Sequence, residues 1–232
     1  MNRIETNINF IKNNINNACK KINRNPEEIN LIAVTKTIDT DQMNAALKMG
    51  IKIIGENKVQ EIMEKYDKIE YETQWHMIGH LQTNKVKYII DKVDLIQSVD
   101  SIRLAKEIDK RAKKINKIID ILIQINVADE ETKFGLSSNK IDNTIKEISD
   151  LGNIRVQGLM AMVPYVEDPE VVRPYFKKMK KIYDSLKNSS FQKVSMNYLS
   201  MGMTNDYMVA IEEGSNMIRI GTGIFGERDY NR

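Results

Sequence analysis

The sequence predicts a (β/α)8 barrel of the α/β class with an additional N-terminal helix. Two observations lead there. Eight short apolar runs, rich in Val and Ile, alternate with stretches of helical periodicity, as in a parallel sheet covered on both faces. The 232 residues, 41% of them hydrophobic, contain no composition shift and no low-complexity linker, so a single domain spanning residues 1–232 is expected. An open doubly wound sheet is the rival arrangement.

The elements follow in order. MNRIETNINFIKNNINNACKKI places Ile4, Ile8, Ile11, Ile15 and Ile22 on one helical face. It reads as an amphipathic helix packed on the domain, without the apolar core of a signal peptide or the Arg- and Ser-rich composition of a transit peptide. The strands are INLIAVT (29–35), IKIIGE (51–56), QWHMIG (74–79), DLIQSV (94–99), DILIQINV (120–127), RVQGLMAM (155–162), NYLSM (197–201) and NMIRIGT (216–222). After the second strand, Val59, Ile62, Met63, Tyr66 and Ile69 recur at helical spacing; after the fourth, Ile102, Ala105, Ile108 and Ala112 do so, with Asp100 or Ser101 as N-cap. Thr204 is expected to cap a helix running to about Glu213 and stopped by Gly214.

Bulk properties exclude several classes. The net charge of +3, from 35 basic and 32 acidic residues, gives no argument for nucleic acid. The densest basic cluster, FKKMKK (176–181), reads as a solvated helix face. No apolar run approaches the roughly 18 residues of a membrane span. One cysteine, Cys19, rules out an internal disulfide and fits a reducing, cytoplasmic setting. No apolar excess calls for a partner subunit, so a monomer is expected.

Chemistry in a barrel sits at the C-terminal ends of its strands. There LIAVTKT (31–37) ends an apolar run on Lys36. Snorkelling is the plain explanation for a lysine at a strand end. A desolvated amine with a lowered pKa can also attack a carbonyl and form a Schiff base. In NMIRIGT, alternation puts Ile218 and Ile220 on one face and Met217, Arg219 and Gly221 on the other. An inward guanidinium stays charged and needs an acceptor, either Glu56 or Asp94 in a salt bridge or a ligand atom. GTGIFG (221–226) matches G-x-G-x-x-G, but only six residues follow it, too few for the rest of a dinucleotide-binding unit. The loops after strands 7 and 8 better fit a phosphate cradle: LSMGMT brings Ser200 and Thr204, and the last strand brings Gly221 and Thr222. A lysine, a phosphate cradle and an arginine together call for an aldehyde, a phosphate and a ring nitrogen, which pyridoxal 5′-phosphate combines. A phosphorylated sugar aldehyde in a cofactor-free Schiff-base aldolase is the competing ligand.

Other candidates carry less. HMIGH (76–80) has two histidines at i and i+4, but on a strand their Cα atoms lie about 13 Å apart; one core and one rim histidine are expected, with no metal. Cys19 has no histidine partner nearby. DEET (129–132) lacks calcium-loop spacing and reads as a flap after strand 5, where Lys133 is a candidate anion contact.

AVTKT, GENKVQE, WHMIGHLQTNK, QINVADEETKFG, VQGLMAM, LSMGMTNDY and RIGTGIFGERDY resemble, in order, the motifs of the pyridoxal phosphate homeostasis protein family. The resemblance spans about residues 30 to 230. It implies a barrel related to the N-terminal domain of alanine racemase, holding pyridoxal phosphate as an internal aldimine on Lys36. It further implies phosphate contacts from Ser200, Thr204, Gly221 and Thr222, Arg219 at the pyridine nitrogen, and Asn57 as a pocket residue. The implied role is cofactor homeostasis without strong turnover, with apo pyridoxal-phosphate enzymes as recipients. An arginine at the ring nitrogen disfavours its protonation and weakens the ring as an electron sink. Alanine racemase overcomes this with an acid–base tyrosine contributed through a further domain; here Tyr165 or Tyr207 would have to substitute. An amino-acid racemase is therefore the alternative function, and the aldolase the third.

Overall fold

Each of the eight apolar runs forms a strand. The structure is a computed structural model that describes residues 3–128, 134–137, 140–187, 191 and 193–227. The strands are β1 (Asn30–Val34), β2 (Ile53–Glu56), β3 (Gln74–Met77), β4 (Leu95–Val99), β5 (Ile119–Ile125), β6 (Ile154–Ala161), β7 (Val194–Ser200) and β8 (Met217–Ile220). They pair in parallel in chain order, and β8 returns to β1, closing the barrel. This rules out the open sheet. β7 starts three residues before the expected position because Val194 pairs with Val156.

The helices are α1 (Arg3–Lys21), α2 (Thr40–Lys48), α3 (Val59–Lys65), α4 (Ile102–Lys114), α5 (Ile141–Ser149), α6 (Arg173–Lys187), α7 (Tyr207–Glu212) and α8 (Thr222–Phe225). Between β3 and β4 the chain makes only a 3₁₀ helix, Thr83–Tyr88, which buries Val86. Ser101 is the N-cap of α4: its side chain accepts from the Leu104 amide at 3.3 Å, a cap typically worth about 1 kcal/mol. α1 buries Ile4, Ile8, Ile11 and Ile15 but ends at Lys21, so Ile22 falls past the helix and is exposed. The apolar face of α1 packs on α7 and α8, where Asn7 donates to the Ile224 carbonyl and Asn14 to the Tyr207 hydroxyl. α6 buries Phe176 and Met179, while Lys177 and Lys181 are exposed. α7 begins at Tyr207, so Thr204 is not its cap; the Asp206 carboxylate instead accepts from the Met203 amide at 2.6 Å and closes the preceding turn. Gly214 does follow the helix, at a φ of +99° that suits glycine.

Two cores result from strand alternation. The outer one joins the helices to Ala33, Ile54, Ile96, Ile121, Ile218 and Ile220. The inner one fills the barrel with Ile32, Ile53, Leu95, Leu122, Met160 and Met217.

Candidate functional site

The lining of the barrel changes character toward the C-terminal ends of the strands. Two residues beyond Leu95 comes Gln97; beyond Leu122, Gln124; beyond Met217, Arg219; beyond Tyr198, Ser200. The period of two keeps each of these facing inward. All four are buried, and buried polar groups must find partners. Arg219 donates from Nη1 to Ser200 Oγ at 2.6 Å and from Nη2 to the Ala161 carbonyl at 2.8 Å. Ser200 donates to Gln97 Oε1 at 2.7 Å, and Gln97 Nε2 donates to His76 Nδ1 at 3.0 Å. The chain of bonds therefore crosses the barrel from β8 to β3. It assigns the proton of His76 to Nε2. Burial lowers the His76 pKa to about 3, so the ring is neutral at pH 7. Burial also lowers Arg219 to about 10, against the pull of Asp206, which leaves the guanidinium charged.

Neither expected salt bridge of Arg219 forms. Glu56 has the opposite parity from Ile53 and faces the helices, where its Oε1 pairs with Lys65 Nζ at 2.8 Å. Burial raises the Glu56 pKa despite that pairing. Asp94 is engaged by the Trp75 amide at 2.8 Å. Arg219 uses two of its five donors on the bonds above.

Lys36 stands just past β1, half-buried, on the inward parity of Ile32 and Val34. Ile32 pairs with Arg219 on β8, four residues before Lys36. Val34 pairs with Gly55 on β2, and Lys36 and Asn57 each follow just past the ends of these paired strands. Asn57 has a buried Oδ1 with no hydrogen-bond partner among the described residues. Such an atom is costly to leave without a donor.

After β7 and β8 the small hydroxyl residues meet. Thr222 Oγ1 lies 3.2 Å from Thr204 Oγ1, which also accepts from the Gly223 amide at 3.3 Å. Gly221 occupies the cap position of α8. Gly223 has no room for a side chain, since a Cβ there would lie 2.8 Å from Ile220. Ser200 makes its hydrogen bonds inside the barrel. Its proton goes to Gln97 and it accepts from Arg219, so it supports the arginine. The loop register separates it from Thr204 by the turn at Gly202, whose carbonyl accepts from the Arg219 amide at 3.0 Å.

Lys36, Asn57, Thr204, Arg219, Gly221 and Thr222 thus lie on the consecutive strands β7, β8, β1 and β2 or just beyond them, all at one end of the barrel. His76 is a core histidine and His80 a rim one, the latter bonded to Asp100 at 3.1 Å and stacked on Phe134. Cys19 is buried in α1, and burial raises its thiol pKa. Tyr207 is buried beneath α1, and Tyr165 is 81% exposed. The DEET run and Lys133 lie outside the described residues.

The profile of the alanine racemase N-terminal domain family matches residues 6–229. A pyridoxal phosphate homeostasis protein of Aquifex aeolicus is 44% identical over 217 residues, covering 93% of this chain and 94% of that one. The chain belongs to the pyridoxal phosphate homeostasis protein family. The Escherichia coli K12 member is 34% identical over the full length of both chains. Among solved structures, family member PipY of Synechococcus elongatus, solved with pyridoxal phosphate bound, has a TM-score of 0.80 at 27% identity, covering 91% of this chain and 100% of that one. Alanine racemase of Clostridium difficile shares the fold at 16% identity and a TM-score of 0.75; the match covers 97% of this chain and 61% of the racemase.

Sequence reading missed Gln97 and the partnership of Ser200 with Arg219. The signal for Gln97 was present: a polar residue at inward parity in LIQSV, the same signal that singles out Arg219 in MIRI.

Proposed function

We propose that this protein binds pyridoxal 5′-phosphate at the C-terminal mouth of the barrel, covalently through Lys36, and serves cytoplasmic cofactor homeostasis as a monomer without strong catalytic turnover. The observation that carries this reading is the convergence of Lys36, a charged buried Arg219 and the Thr204–Thr222 hydroxyl pair on one end of adjacent strands. The residues fit the group chemically. Asn57 has an acceptor without a donor, Arg219 has donors to spare beyond Ser200 and Ala161, and the Gly221–Thr222 turn offers backbone amides at a helix start.

When bound, the cofactor supplies an aldehyde and an electron-withdrawing ring. Lys36 would hold the cofactor through its amine, the nucleophile that an aldehyde calls for. Arg219 would face the ring nitrogen and, as a fixed cation, would keep a proton off it. Thr204, Thr222 and the Gly221 turn, with Ser200 behind them, would hold the phosphate. Ser200 holds Arg219. Of the two candidate tyrosines, Tyr207 is held by Asn14 under α1 and Tyr165 is exposed to solvent, so neither is set for acid–base work. That supports storage and delivery to apo pyridoxal-phosphate enzymes over racemisation.

The test is a visible-absorption titration of the purified protein with pyridoxal phosphate, beside Lys36→Ala, followed by transfer to an apo-enzyme in the presence of a trap for free cofactor. A yellow band absent from the variant, with trap-resistant transfer, supports the proposal. Rapid Lys36-dependent racemisation of an amino acid would replace homeostasis with catalysis. A wild type that stays colourless in excess cofactor would return the aldolase to first place.

A further inference from the structure

We propose that the pair formed by buried Lys65 and half-buried Glu61, on α3 behind β1 and β2, is a positioning device for Lys36, fixing the two peptide groups that flank it. The proposal rests on the reading of Lys36 given above and extends it to residues that do not touch the ligand.

An ammonium has three protons, and Lys65 places all three. Its Nζ donates to the Thr35 carbonyl at 2.9 Å, to Glu56 Oε1 at 2.8 Å and to Glu61 Oε2 at 2.7 Å. The Thr35 carbonyl belongs to the peptide group immediately before Lys36. Glu61 Oε2 also accepts from the Thr37 amide at 2.7 Å, and that amide belongs to the peptide group immediately after Lys36. Two further bonds anchor residue 35: its hydroxyl donates to Glu56 Oε1 at 2.7 Å and its amide to the Gly55 carbonyl at 3.0 Å. The backbone on both sides of Lys36 is therefore tied to one buried cation and its two carboxylates.

The turn these bonds hold is an uncommon one. Thr37 has a φ of +64°, a left-handed conformation that a β-branched residue rarely adopts. Strained backbone persists only where its surroundings over-determine it. Here the bond from the Thr37 amide to Glu61 does so, at the residue directly after the lysine whose direction matters. A salt bridge needed only to fasten α3 to the barrel would be complete with Glu56. What distinguishes Lys65 and Glu61 is that their remaining bonds go to the backbone around Lys36. The cluster lies on the outward parity of Thr35 and Glu56, so it acts on Lys36 through the chain.

Removing Lys65 would strand Glu56 in the core, so the test uses Glu61. Full-length apo-protein, Glu61→Ala and Glu61→Gln are mixed with pyridoxal phosphate, and the rise of the visible band is timed. Each sample is then reduced with borohydride and peptide-mapped to compare the share of label on Lys36 with that on other lysines. Amide exchange at Thr37 and circular dichroism are read on the same samples. The expected result is a folded Glu61→Ala whose Thr37 amide exchanges faster. Its band forms about tenfold more slowly, the scale of one lost charge-assisted hydrogen bond, and its label shifts away from Lys36. Glu61→Gln, which keeps an acceptor oxygen, is expected to return to within about threefold of wild type. Wild-type rate and labelling in Glu61→Ala would overturn the positioning role alone. A wild type with no label on Lys36 would instead overturn the reading of Lys36, and the positioning role with it.

Discussion

At the N-terminal end of the barrel, α1 and the starts of β1, β2 and β3 surround an open volume of about 810 Å³, lined by Lys12, Asn16, Glu27, Lys52 and Gln74 among others. At the C-terminal end, the hollows beside His80 are smaller, about 220 Å³ on the side of Asn57 and about 340 Å³ on the side of Asp100. Volume alone would favour the N-terminal end. Side chains at the N-terminal opening such as Asn16 and Gln74 are exposed, and water satisfies them. Below the C-terminal mouth the polar groups are buried: Arg219, Ser200, Gln97 and His76 are each at most 4% exposed. Burying such groups without partners costs several kcal/mol. Here each of them finds a partner inside the barrel, and this contrast in burial supports the C-terminal mouth as the candidate site more than the size of either opening does.

The largest expected break comes from the arginine. Arg219→Leu removes the cation but leaves Ser200 and the Ala161 carbonyl short of a donor. A loss of about 3–5 kcal/mol in urea melts is expected, together with a changed absorption maximum in any pyridoxal phosphate complex that still forms.

The neutral histidine gives the next effect. His76 has a folded pKa near 3 against an unperturbed value near 6.5. Between those values the unfolded chain binds the extra proton, so stability is complete above pH 6.5 and falls as the pH drops toward 3. At about 1.4 kcal/mol per pH unit, a loss on the order of 2 kcal/mol is expected on moving from pH 7.5 to 5. Urea melts of wild type and His76→Gln at the two pH values check this; the variant should lose less.

The hydroxyl pair should matter to the ligand more than to the fold. Thr204→Val is expected to weaken pyridoxal phosphate binding about tenfold, the scale of a lost hydrogen bond to a charged group, with pyridoxal itself bound as before. Equal weakening for both ligands would remove Thr204 from the phosphate. At the opposite end, Asn16→Ala and Gln74→Ala should stay within about 0.5 kcal/mol of wild type and leave cofactor binding untouched. Impaired binding there would reverse the comparison of the two ends.

The barrel itself was legible in the sequence because the strands are short, apolar on both faces and regularly spaced, and Ile218–Arg219–Ile220 shows which face of β8 looks inward. The position of Lys36 just past β1 was legible for the same reason, as a charge at the end of an apolar strand. What could not be read was pairing across the barrel. Ser200 looked like a loop hydroxyl until β7 placed it opposite Gln97, more than a hundred residues away in the chain. The Glu56 assignment failed on parity: GEN ends a short strand, and its outward face became clear only with Lys65 against it. The start of α7 was misplaced because Thr204 is a good capping residue by type, yet Thr222 and Gly223 occupy its hydroxyl.

The most direct test of the account is where the cofactor attaches. The purified protein, saturated with pyridoxal phosphate, is reduced with borohydride, digested and mapped by mass spectrometry, beside Lys36→Ala treated in the same way. The account predicts that label concentrates on the peptide carrying Lys36 in the wild type and that the variant has no dominant site. Label spread over surface lysines in both, or unchanged by the substitution, would contradict it.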